Sequence, residues 1–154
     1  MALLVVRLRG TVNVPYWAVT TLKNLYLNKR FSATLVPETS DYSGMLRKIS
    51  PWVAWSKADR EIVKTLIENR AKNKNPRSDS SSKSRNSKDY MGIDELVEVL
   101  VNDKIKFSEQ NNVKPWFSLN PPKGGFKKST KRQFSDGGTL GSNKDLLEIV
   151  KKMI

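Results

Sequence analysis

The chain has 154 residues, a formal net charge of +13 and a hydrophobic content of 38%, enough for a core but leaving part of the chain outside it. It contains no cysteine and no histidine, which excludes disulfides, thiolate chemistry, Cys/His zinc sites and the usual general base near neutral pH. So large a cationic excess repels itself and points to a polyanionic partner, with nucleic acid ahead of an anionic membrane surface.

The opening MALLVV is too short for a signal h-region or a membrane span and lacks a basic n-region, so a cytoplasmic protein is expected. Leu3–Gly10 alternates: Leu4, Val6 and Leu8 share one side, and Val5, Arg7 and Arg9 the other. Period two predicts a strand with one buried face and two arginines side by side on the opposite face. From Asn13 to Arg30 the spacing of Ala18, Leu22, Leu25 and Tyr26 predicts an amphipathic helix. Asn13 would cap it, Pro15 suits its first turn, and Lys29 and Arg30 close it where cations complement the dipole.

Phe31–Glu38 is rich in β-formers and stops at Pro37, a second strand. Thr39 or Ser40 then caps a short helix carrying Met45, Leu46 and Ile49, which ends before Pro51 and projects Arg47 and Lys48 from its last turn. PWVAW predicts a third strand, and Ser56–Ala71, with Ile62, Val63, Leu66 and Ile67, a second long amphipathic helix. Residues 72–89 hold no aliphatic or aromatic side chain apart from their stems of lysine and arginine, and read as a disordered basic spacer. Gly92–Lys104 predicts a helix with Asp94, Glu95 and Glu98 on its outer face. Nothing in the sequence desolvates these carboxylates, so they read as a solvated face and not as acid–base catalysts. Lys114–Leu119 is a short extended piece, and Ser142–Ile154 a last helix with Ser142 and Asp145 in the capping pattern.

Charge is unevenly spread. Residues 1–71 carry 11 basic and 5 acidic groups, residues 72–90 carry 6 and 2, residues 91–113 carry 2 and 5, and residues 114–154 carry 9 and 3. One central segment is therefore acidic and the rest basic, a footprint with a solvated back.

The segment PPKGGFKKSTKRQFSDGGTLG, residues 121–141, raises the question of a nucleotide-binding loop. A P-loop needs G-x-x-x-x-G-K-[ST] between a strand and a helix N-terminus. Here Gly124 and Gly125 are adjacent, no glycine directly precedes Lys127 or Lys128, and no apolar helical run follows. The residue types suit a phosphate-facing arm instead. Pro121 and Pro122 hold the chain extended, and Gly124 and Gly125 permit close backbone approach. Lys123, Lys127, Lys128, Lys131 and Arg132 crowd together with no acid among them. Phe126 and Phe134 would stack on bases or pin the segment to its own domain. Such an arm is expected to order only on its polyanion, because ordering costs entropy.

Taken in order, RLRGTVNVP, TLVPET, GMLRKI, VAW, PPKGGFKKST and GGTLG resemble the universal large-subunit ribosomal protein L-thirty family, in its longer archaeal and eukaryotic form, over nearly the whole chain outside the spacer. The missing long N-terminal basic arm makes it look archaeal-like. The element order β-α-β-α-β-α, then a basic spacer, α, an extended stretch, the glycine loop and a terminal α already reads as α+β; the resemblance implies for its core a small, loosely ferredoxin-like antiparallel sheet of strand order 3-1-2, built as β-α-β-α-β within residues 1–71. A basic spacer at 72–90 and a C-terminal extension at 91–154 with helices and the glycine loop would follow. It also implies binding to large-subunit ribosomal RNA close to the 5S RNA, beside neighbouring ribosomal proteins, with no catalysis, cofactor, metal, membrane or small-molecule substrate. Carried onto this chain, the RNA-facing candidates are Arg7, Arg9, Thr11, Arg47, Lys48, Lys123, Gly124, Gly125, Lys127, Lys128 and Lys131. Lys29, Arg30 and Arg132 join them on charge and position. Asn120 stands where the family commonly has histidine, and Lys123 where it has arginine, so a planar fork is lost there. An architectural DNA-binding protein or a non-ribosomal RNA-binding protein is the alternative on composition alone, although no helix carries the basic and amide face that reads a major groove.

Overall fold

The computed structural model describes residues 1–70, 93–102, 107–109 and 114–154; the spacer expected at 72–90 lies outside them. Its strands are β1 (Leu3–Arg7), β2 (Ser32–Val36), β3 (Val53–Lys57), β4 (Phe117–Ser118), β5 (Ser129–Gln133) and β6 (Gly138–Ser142), with helices α1 (Tyr16–Asn24), α2 (Ser40–Ile49), α3 (Arg60–Arg70), α4 (Ile93–Val101) and α5 (Leu146–Lys151). The fold is α+β, and the expected 3-1-2 core is present: β1 pairs antiparallel with both β2 and β3. The sheet is larger than the sequence suggested. Its order is β4-β2-β1-β3-β6-β5, and β6 joins β3 and β5 in parallel. Two strands from the C-terminal part thus extend the sheet formed by residues 1–57 on one side, and one on the other. Among the described residues no helix is long and apolar enough to cross a membrane.

The expectation of one buried face on β1 is corrected by this topology. As the strand between β2 and β3, β1 is covered on both sides. Leu4, Val6 and Leu8 pack with Ala33 and Leu35 against Ile62, Val63 and Leu66 of α3 and against Leu146 and Val150 of α5. Leu3 and Val5 pack against Ala18 and Leu22 of α1 and Leu46 and Ile49 of α2. Each such aliphatic side chain contributes about 1.5–3 kcal/mol on burial. Alternation along β1 therefore sorted its residues between two apolar layers, and Arg7 sits at the end of one of them.

Several boundaries move for identifiable reasons. Helix α1 stops at Asn24, not Arg30. Leu27 N–H donates to the Leu22 carbonyl and Tyr26 N–H to that of Lys23, a Schellman closure in which Tyr26 takes the left-handed position (φ 59°). The usual glycine signal is missing, so the stop was not legible. Asn13 does not cap α1; it is itself left-handed (φ 57°), and Pro15 occupies the cap position. Ser142 does not cap α5, because its backbone belongs to β6 beside Trp55. The buried Asn143 replaces it: its side-chain oxygen accepts from Asp145 N–H at 2.8 Å, and its amide donates to the Thr139 carbonyl at 3.1 Å. Ser56, read as a cap for α3, lies within β3.

The glycine-rich segment departs most from expectation. It holds β5, a short 3-10 turn over Phe134–Asp136 and the largely buried β6. Gly138 explains why the sequence concealed a strand there. A Cβ at that position would lie 2.0 Å from the Arg132 carbonyl oxygen, so only glycine lets β6 approach β5.

Candidate nucleic-acid interface

Sheet topology gathers the candidate residues on one edge. β1 ends there while β2 and β3 begin there, because both run antiparallel to it. β4 is antiparallel to β2, so it exits at the same edge and delivers residues 119–128 to it. β6 is parallel to β3 and therefore starts on that side, as does its parallel neighbour β5. Segments that are far apart in sequence, the β1 end, the turn before β2, the end of α2 and the glycine loop, thus share one rim.

Specific contacts stitch that rim together. Arg30 Nε donates to the Leu8 carbonyl at 2.9 Å, and its guanidinium lies 4.6 Å from the centre of the Phe31 ring. Phe31 stacks on Phe126 at 6.2 Å, which pins the glycine loop to the start of β2. Within the loop, Gly125 N–H donates to the Pro122 carbonyl at 2.9 Å, closing a tight turn in which Gly124 and Gly125 have φ of 81° and 73°. On the other side, Ser50 Oγ donates to Gln133 Oε1 at 2.9 Å and joins the end of α2 to β5. Arg9 Nη1 donates to the Pro51 carbonyl at 3.2 Å.

Within this rim the candidates divide into three groups. Arg7 is buried, with 2% of its surface exposed. Its Nη1 donates to the carbonyls of Leu27 and Asn28, its Nη2 to Gly10 and its Nε to Arg9, at 2.7 to 3.0 Å. Burial lowers its pKa from the usual guanidinium value, but arginine remains charged at any working pH. The Arg7 fork is thus occupied by backbone, and it holds the rim in shape. Lys128 forms a second group. The absence of acids read within the loop is corrected by the fold: Asp145, at the start of α5, faces Lys128 with Nζ to Oδ2 at 2.8 Å. Lys128 also lies 4.8 Å from the Phe134 ring centre.

The third group is exposed and forms no ion pair among the described residues: Lys29, Arg47, Lys48, Lys123, Lys127, Lys131 and Arg132. Thr11, Gly124 and Gly125 are exposed beside them, while Arg9 is half-buried. Lys131 and Arg132 are consecutive exposed residues of the edge strand β5, whose pairing with β6 is irregular between Ser129 and Gln133. A groove of about 110 Å³ runs between the glycine loop and α5, bordered by Phe126, Lys127, Lys128, Asp145, Glu148 and Lys152. Glu98 of α4 pairs with Arg60 at 2.6 Å, both side chains exposed.

Such a surface can neutralise phosphates along a backbone. Sequence reasoning overlooked its aromatic element. Trp17 is 52% exposed and meets Trp52 edge-on at 6.0 Å, and Tyr16 is 87% exposed. Two consecutive aromatics opening a helix, of which only Ala18 and Leu22 are buried, were the available signal.

Comparisons with known proteins point to one family. A family model described as ribosomal protein L30p/L7e matches residues 3–53, from β1 to the start of β3. A protein named large ribosomal subunit protein uL30 from Cenarchaeum symbiosum is 39% identical over 153 residues, which cover 99% of this chain and 98% of that protein. The protein of the same name from Nitrosopumilus maritimus is 39% identical over 153 residues with the same coverage. That from Korarchaeum cryptofilum is 37% identical over 151 residues, 97% of this chain and 93% of the other.

Proposed function

This chain belongs to the ribosomal protein L30p/L7e family, and on that premise we propose that it is a non-catalytic structural component of the large ribosomal subunit that binds large-subunit ribosomal RNA near the 5S RNA. The observation that carries the reading is the convergence of exposed cations from four separate segments on one rim of the sheet. The rim meets phosphates through Arg9, Thr11, Lys29, Arg30, Arg47, Lys48 and the glycine loop from Lys123 to Arg132. Gly124 and Gly125 let the loop backbone lie close to a sugar–phosphate strand, since a Cβ at either position would meet nothing of the protein within 4 Å. Arg7 acts from behind, shaping the rim.

The test is competition binding of the purified chain to large-subunit ribosomal RNA fragments and to random duplex DNA across a salt series. Preference for the structured RNA, with affinity falling steeply as salt rises, is expected. Equal affinity for duplex DNA, or failure to co-sediment with large subunits, would overturn the reading.

A further inference from the structure

The loop after β1 and the first turn of α1 present a shoulder that phosphate neutralisation leaves unused. Val12 is 83% exposed, Tyr16 87% and Trp17 52%. Scattered exposed aliphatics are ordinary on a protein surface, whereas a contiguous aromatic group is not. We propose that this shoulder is a stacking platform for unpaired RNA bases, with Tyr16 and Trp17 as its faces. The proposal rests on the RNA-binding reading above and deepens it.

Three features support it. The platform is rigid: α1 is anchored beneath it by the buried Ala18 and Leu22, and both Ala18 and Val19 N–H groups donate to the Pro15 carbonyl at 3.0 Å. With the backbone fixed, and the Trp17 ring held edge-on against Trp52, stacking a base orders little more than the Tyr16 side chain. The platform is continuous with the cationic rim. Trp17 touches Trp52, whose carbonyl accepts from Leu8 and Arg9 N–H at 3.1 and 3.3 Å, and Arg9 reaches the adjoining Pro51. A strand whose phosphates follow the rim would therefore bring its bases to the shoulder. Finally, the electrostatics suit a polyanion: no Asp or Glu precedes Glu38, while Arg9, Lys23, Lys29 and Arg30 all lie in that stretch. An apolar protein partner would account for the rings but not for the cations that accompany them. Because successive helix residues are turned by about 100°, Tyr16 and Trp17 present different faces and would take separate bases.

Two probes separate bases from phosphates: single-stranded poly(A) and an abasic ribose–phosphate oligonucleotide of equal length. The intact chain should bind poly(A) more tightly at any one salt concentration. Tyr16→Ala should weaken poly(A) binding by about tenfold, leave the abasic strand unaffected, and keep the same salt slope. Trp17→Ala should act likewise, but it also loses its contact with Trp52. Tyr16→Ala, at a side chain almost wholly in solvent, is therefore the decisive variant. Equal binding of both probes by the intact chain would overturn the platform, as would a poly(A) preference that survives Tyr16→Ala. A surviving preference with weakened subunit association would assign the shoulder to a protein neighbour instead. None of these results touches the broader reading, which is decided by the competition against duplex DNA and by co-sedimentation with large subunits.

Discussion

The guanidinium of Arg7 donates to the Leu27 carbonyl at 2.7 Å and ties the end of the first strand to the turn that closes the first helix. Three further carbonyls, those of Asn28, Gly10 and Arg9, complete its fork. Replacing Arg7 with methionine would leave these acceptors without their donor in a site closed to water, at a cost of about 2–4 kcal/mol. Arg7→Lys keeps the charge but not the planar fork and should also destabilise. The urea midpoint reports both, with the slope unchanged. Under native conditions the salt slope of RNA binding should stay as it was, because Arg7 meets backbone and not phosphate.

Removing exposed cations from the rim should do the reverse. With Lys123, Lys127, Lys131 and Arg132 all changed to alanine, the logarithmic salt slope should fall by about 3, at roughly 0.7–0.9 per phosphate contact. Thermal stability should stay within about 0.5 kcal/mol, as for most surface substitutions. An unchanged slope would remove the loop from the interface.

Lys128 and Asp145 provide a sharper test of local charge. Their exposed pair contributes about 0–1 kcal/mol to stability, yet Asp145 places a carboxylate on Lys128, a residue of the proposed RNA-binding loop. Asp145→Asn should tighten RNA binding and steepen the salt slope by about 0.7–0.9, as one more lysine becomes available to phosphate. A fall in affinity would mean that the ion pair positions Lys128 for binding.

Two glycines should respond oppositely to alanine. At Gly138 the added Cβ would lie 2.0 Å from the Arg132 carbonyl oxygen, so β5 and β6 must separate. A loss of about 2 kcal/mol or more is expected in thermal unfolding. Gly44 lies inside α2, and a Cβ there meets nothing within 4 Å. Gly44→Ala should gain about 0.5–1 kcal/mol, as helix propensity dictates.

Composition and local pattern by themselves determined the strongly cationic character that suits a polyanionic partner, the absence of histidine and cysteine chemistry, and the α+β class with its β-α-β-α-β start. These depend on residue type and short-range period, which a single segment carries within itself. The order of motifs likewise sufficed for the family resemblance. Which cations face outward was decided by the tertiary structure. Arg7 and Arg9 are equivalent in the alternation of the first strand, but α1 and α2 cover that face and the turn at Leu27 and Asn28 surrounds Arg7 with carbonyls. Lys128 and Lys127 are neighbours in sequence, yet only Lys128 faces Asp145, because β6 and α5 bring that carboxylate back across 17 residues. The strand at Gly138–Ser142 was hidden for the same reason: its glycines look like turn residues until β5 lies against them. Burial, pairing and register arise between segments, so no period along the chain could reveal them.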